Sequence, residues 1–179
     1  SYNYMSSGSS ILEELIRQNK FSNQKEKVDL YDWLAYAYYY NRVNVFNSLE
    51  HKKNIEISLK FIELLEKNKV SEKFYKEMSK ETSKNNYLVL TMTALSDSYY
   101  NIGLDTQGMH WAEQAMLVSQ NQDVSLFVRN NALAAQSVSL YYQGKIFEAI
   151  KMQEELMTSH KKLYHSVVPD EMLSDEEID

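Results

Sequence analysis

One short phrase occurs twice in this chain, and the spacing between its copies restricts the fold more than any other feature. Ala94-x-Ser96-x-Ser98-x-Tyr100-x-x-Gly103 recurs as Ala135-x-Ser137-x-Ser139-x-Tyr141-x-x-Gly144, with Gly103 and Gly144 lying 41 positions apart. Five residues after each glycine comes a small residue, Gly108 and then Ala149, and Met116 and Met157 close the two units at the same offset. Self-similarity at this period is the mark of stacked supersecondary units, each too small to bury its own apolar face. Such stacks offer long concave surfaces, which suit the binding of other molecules better than their transformation.

The units are helical because little in the chain can break a helix. There are only four glycines and one proline, Pro169, close to the end. Both residue types destabilise helix interiors, so their scarcity over more than 160 residues predicts an all-α fold. A length of 179 residues with 44% hydrophobic composition is enough for one domain with a sizeable core. The absence of cysteine excludes disulfides and thiolate chemistry and fits a reducing compartment, so the expected location is cytoplasmic. No apolar run approaches the roughly 18–20 residues of a membrane span, and a net charge of −6 argues against nucleic-acid binding by this domain. The chain begins at Ser1 with no visible signal peptide, as a fragment cut from a longer protein would.

Residues 1–10 are polar and Ser-rich and read as a flexible segment, with Ser10 and Glu13 as a capping box for a short helix over 11–20. A longer helix is predicted over 25–42, with Val28, Tyr31, Leu34, Ala35 and Tyr38 at helical spacing. Another covers 49–67, with Ile55, Leu59, Ile62 and Leu65 on one face. Ser71 is a cap for a charged helix through residue 81, broken at Lys84-Asn85-Asn86; Glu77 and Glu81 pair there with Lys73, Lys80 or Lys84. Two clear hairpins follow, 87–102 with 106–119 and 124–143 with 146–163. Gly103 and Gly144 end the first helix of each, where a left-handed residue is favoured. The domain thus spans 11–164, and 165–179 is an acidic tail.

Leu95, Tyr99, Gly103, Gly108, Ala112 and Ala115, then Leu140, Gly144, Ala149 and Leu156, resemble the tetratricopeptide repeat (TPR). The resemblance covers 87–163 well and 25–67 in outline. It implies a right-handed α-solenoid of antiparallel helical hairpins, about seven or eight helices in all, whose concave face binds a protein or peptide. The period of 41 exceeds the usual 34, so the helices are longer than standard, and the proline that ends each standard unit is missing. Long TPR-like hairpins occur in kinesin light chains and in bacterial receptors of short signalling peptides. The alternative function is therefore a regulatory, peptide-sensing domain of a larger protein such as a transcription regulator. A solenoid end can also expose an apolar face, which leaves self-association open.

Fourteen tyrosines supply the candidate site. Tyr39-Tyr40-Asn41, Tyr99-Tyr100-Asn101 and Tyr141-Tyr142-Gln143 fall near the ends of three first helices. On a concave face, Tyr39, Tyr40, Tyr100 and Tyr141 form an aromatic ladder, with Asn101 and Asn131 fixing the backbone of an extended ligand. The competing reading packs one tyrosine of each pair between hairpins and leaves the asparagines to solvent. The clamp by which some TPR domains hold a terminal carboxylate needs Lys and Asn on these inner faces. The corresponding places here carry Thr93, Asp97, Ala134 and Val138, so that function is not carried over. His110 three before Glu113 is the best metal pair, and surface packing explains it better than ligation, since further ligands are missing. No Gly-x-Ser-x-Gly elbow, HExxH or phosphate loop is present. A non-enzymatic scaffold without cofactor or metal is the expectation.

Overall fold

The computed structural model describes residues 2–78 and 83–167, with side chains from 8 to 78 and from 83 to 163. Among the described residues there are eight helices and no strand. They are α1 (Tyr2–Arg17), α2 (Gln24–Asn47), α3 (His51–Glu66), α4 (Glu72–Met78), α5 (Lys84–Asn101), α6 (Asp105–Ser119), α7 (Leu126–Tyr142) and α8 (Ile146–Val167). No helix among them is long and apolar enough to cross a membrane.

Helix ends follow the local sequence closely. Gly103 and Gly144 both sit at φ +74°, and each passes the chain out of its helix through a paired bond set. Leu104 N–H donates to Tyr99 O at 2.9 Å and Lys145 N–H to Leu140 O at 2.9 Å, closing Schellman turns. Asn19, Asn68 and Leu49 hold the same left-handed place after α1, α3 and α2. For Leu49 this is a strained position, because its Cβ crowds the carbonyl. Ser83 and Ser125 cap α5 and α7 by accepting from Asn86 N–H and Val128 N–H.

Several boundaries differ from those predicted. The helix expected over 11–20 already begins at Tyr2, so Ser10 lies inside α1 rather than capping it. Glu13, its expected capping partner, instead accepts from the Tyr38 hydroxyl at 2.6 Å and from Lys60 at 3.2 Å, tying α1 to α2 and α3. Helix α2 continues five residues beyond the predicted end, because nothing before Ser48 and Leu49 stops it. The Tyr39-Tyr40-Asn41 phrase is therefore mid-helix, unlike its counterparts at the ends of α5 and α7. Lys84-Asn85-Asn86 opens α5 instead of breaking a helix, since Ser83 satisfies its first turn. Ile62 and Leu65 are buried as expected, but Leu59 turns outward and α3 buries Ile57, Phe61 and Leu64 as well. Lys73 pairs with Glu77 at 3.6 Å as expected, while Lys80, Glu81 and the acidic tail from 168 lie outside the described residues.

Packing runs mostly between sequence neighbours. Helix α2 packs on α1 and α3, α3 on α5, α5 on α6 and α7, α6 on α7, and α7 on α8. The α5–α6 contact is close because α6 turns Gly108, Ala112, Ala115 and Ser119 toward its neighbour. The four repeated serines are all buried. Ser96 donates to Gly108 O at 2.8 Å, and Ser98 accepts from Asn54 of α3 at 2.8 Å, so one phrase serves two helix contacts. Short α4 drives Phe74 into the main core, where its ring meets Tyr36 at 4.8 Å, Tyr87 at 5.6 Å and Phe61 at 6.4 Å. A side chain of an earlier helix secures the start of α4 and that of α7. Asp32 accepts from Ser71 N–H at 2.8 Å and Ser71 Oγ at 2.5 Å, while Asn86 accepts from Ser125 N–H at 3.0 Å.

Candidate functional site

The six residues expected to line one groove take different places. Tyr39 packs into the core, edge-on to Tyr87 at 5.5 Å and to Phe61 at 6.2 Å. Tyr100 lies half-buried against α6 and stacks on Tyr142, with ring centroids 4.4 Å apart and planes 15° from parallel. Burial pushes its phenol pKa up, and the hydroxyls of Ser139 and Ser96 beside it oppose that shift. Asn101 turns its amide back to Asp97 O at 2.9 Å, and Asn131 does the same to Phe127 O at 2.9 Å. A short polar side chain within a helix reaches a carbonyl one turn back more easily than a ligand, which explains both. Tyr141 is 63% exposed, on an apolar surface shared by α7 and α8 with Val138, Ile146, Ile150 and Met157. Tyr40 alone among the six lines the groove described next, so the predicted ladder is not assembled as one surface.

That groove has α2 as its floor and α1 and α4 as its walls. Asp29, Trp33, Tyr36, Ala37 and Tyr40 are spaced by three or four residues and so share one face of α2. Leu12 and Gly8 come from α1, Lys73 and Glu77 from α4. The space measures about 440 Å³, within the usual range for a ligand pocket. Trp33 is 64% exposed, a large ring left in water, and its centroid lies 5.9 Å from that of Tyr36. Tyr36 donates its hydroxyl to Glu77 at 2.8 Å, bridging floor and wall. Burial, then the Glu77 carboxylate, pushes the Tyr36 phenol up, so it remains a neutral donor. Asp32 is committed to Ser71, whereas Asp29 has no hydrogen-bond or ion-pair partner among the described residues.

No protein-family model, no curated protein and no solved structure matches this chain. The chemistry of the surface must therefore carry the functional reading. Among the described residues no three His, Cys, Asp or Glu side chains come together as a metal site. His110 instead packs edge-on against Trp111, with centroids 5.3 Å apart.

Two features escaped the sequence reading. One is the Trp33 face, whose signal was present as the spacing of Asp29, Trp33, Tyr36 and Tyr40 but was masked by the neighbouring tyrosine run. The other is Arg42, a buried residue of α2 with its guanidinium carbon 5.3 Å from the Tyr39 ring centroid. Burial pulls its pKa down to about 10, and its Nε has no hydrogen-bond partner among the described residues. The Tyr39 ring is the compensation that this cation has.

Proposed function

We propose that this chain is a TPR-like, non-enzymatic module that binds a segment of a protein or a peptide in the aromatic groove of α2. The single observation that carries the reading is Trp33, a 64% exposed indole inside a concave space whose other floor residues include Tyr36 and Tyr40. An aromatic side chain of this size exposes about 150–250 Å² when bare, so covering what is exposed recovers about 2–3 kcal/mol. Rigid aromatic anchors in a concave setting are the usual energetic centres of protein recognition. The packing order of α5 on α6 and α7, α6 on α7, and α7 on α8 supports a stack of hairpins as the scaffold. The small residues Gly108, Ala112 and Ala115 at the α5–α6 contact support the TPR-like reading of each unit.

Selection of displayed peptides against the intact chain tests this directly. Peptides enriched on the wild type should lose at least about tenfold in affinity for a Trp33→Ala/Tyr40→Ala variant of unchanged helicity. Enriched peptides that bind both proteins equally would place the interaction elsewhere and end this reading of the groove.

A further inference from the structure

We propose that the groove is selective for a cation, an arginine or lysine side chain of the incoming segment, seated on the Trp33 ring with Asp29 and Glu77 as its counter-charges. This inference rests on the groove being the binding surface. Two independent properties of the lining converge on it. The first is charge: among the described residues Asp29, Asp32 and Glu77 face the space, against one cation, Lys73. Lys73 is itself 3.6 Å from Glu77 in a mostly exposed pair, which offsets one of the three carboxylates and leaves the other two uncompensated by a described cation. Asp32 accepts from Ser71 N–H and Oγ, so its oxygens are already engaged with the start of α4. Asp29 is the uncommitted member, four residues before Trp33 and hence one turn away on the same face.

The second property is the ring itself. Indole offers the best aromatic face for a cation, and arginine pairs with it most frequently. Tyr36 cannot serve as a hydroxyl donor to the ligand, because its proton is held by Glu77 at 2.8 Å. That hydrogen bond fixes the Glu77 carboxylate at the groove wall, where it can meet a guanidinium or ammonium resting on Trp33. Other ligand classes fit less well. A phosphate or carboxylate would enter a space whose described lining has two more anions than cations. A purely apolar segment would cover Asp29 without giving it a partner, which costs more than its burial returns.

Nuclear magnetic resonance of the intact chain, following the Trp33 indole N–H and assigned with Trp33→Phe, separates these cases. The probes are N-acetyl-arginine methylamide and N-acetyl-citrulline methylamide, equal in shape and different in charge, added at matched ionic strength. The arginine probe should bind at least about fivefold more tightly, the factor that one exposed cation–π contact supplies. An Asp29→Asn/Glu77→Gln variant, which keeps Trp33, should narrow that preference, and a preference of undiminished size would overturn the role of the two carboxylates as counter-charges. Equal, saturable binding of both probes would overturn the cation proposal and leave the groove intact as a binding surface. A Trp33 signal unmoved by either probe would overturn both.

Discussion

Tyr100 and Tyr141 hold the same place in two copies of one phrase, yet one ring is stacked inside the molecule and the other stands in water. The residue five positions after the turn glycine separates them. At Gly108 an added Cβ would lie 2.8 Å from the Tyr100 ring, so the ring can rest there only because the side chain is absent. The second copy has Ala149 at that place, and its methyl group denies Tyr141 the same pose. The first ring then gains a lid: Tyr142 from the next unit stacks on it. A one-carbon difference and a neighbouring ring thus separate a half-buried repeated tyrosine from an exposed one.

The largest effect that sharpens this contrast is truncation of the two rings. Tyr100→Ala should lower stability by about 2–3 kcal/mol in urea unfolding, below the full cost for a wholly buried aromatic because Tyr100 is half-buried. Tyr141→Ala should stay within about 0.5 kcal/mol. Equal losses would show that the structural asymmetry has no energetic counterpart. Next comes Gly108→Ala, expected to cost about 1–2 kcal/mol despite the better helix propensity of alanine, because the Tyr100 ring must leave its seat. In a Tyr100→Ala background the same change should become neutral or favourable, and a double-mutant cycle reads that reversal.

Where the copies agree, their variants should agree. Ser83→Ala and Ser125→Ala each remove an N-cap and should each cost about 1 kcal/mol in thermal or urea unfolding. A large difference between them would mean that the units are not energetically equivalent at their starts. The smallest effect concerns the turns. Leu49→Gly should raise stability by up to about 1 kcal/mol, by relieving a left-handed leucine at the place where the two repeated units use glycine.

Much of the scaffold was legible in the sequence because it depends on local rules. Gly103 and Gly144 announce their turns through chirality alone, and Gly108, Ala112 and Ala115 announce a close contact through size alone. The eight helices follow from the scarcity of breakers, although the Ser-rich start of α1 read as a flexible segment. The groove was not legible, since its walls come from α1 and α4, tens of residues from its floor in one direction or the other. The backbone hydrogen bonds of Asn101 and Asn131 were not legible for a different reason. Their competing partner was their own backbone, which no pattern of side chains reveals.

Helix α4 belongs both to the core and to the groove. Its Phe74 plugs the aromatic core among Tyr36, Phe61 and Tyr87, while Lys73 and Glu77 on the same seven residues form a wall of the groove. A ligand held by that wall would therefore act as a folding ligand, adding RT ln(1 + [L]/Kd) to the stability of the docked helix. By reciprocity, a core substitution at Phe74 would weaken binding at a surface that the phenyl ring never touches.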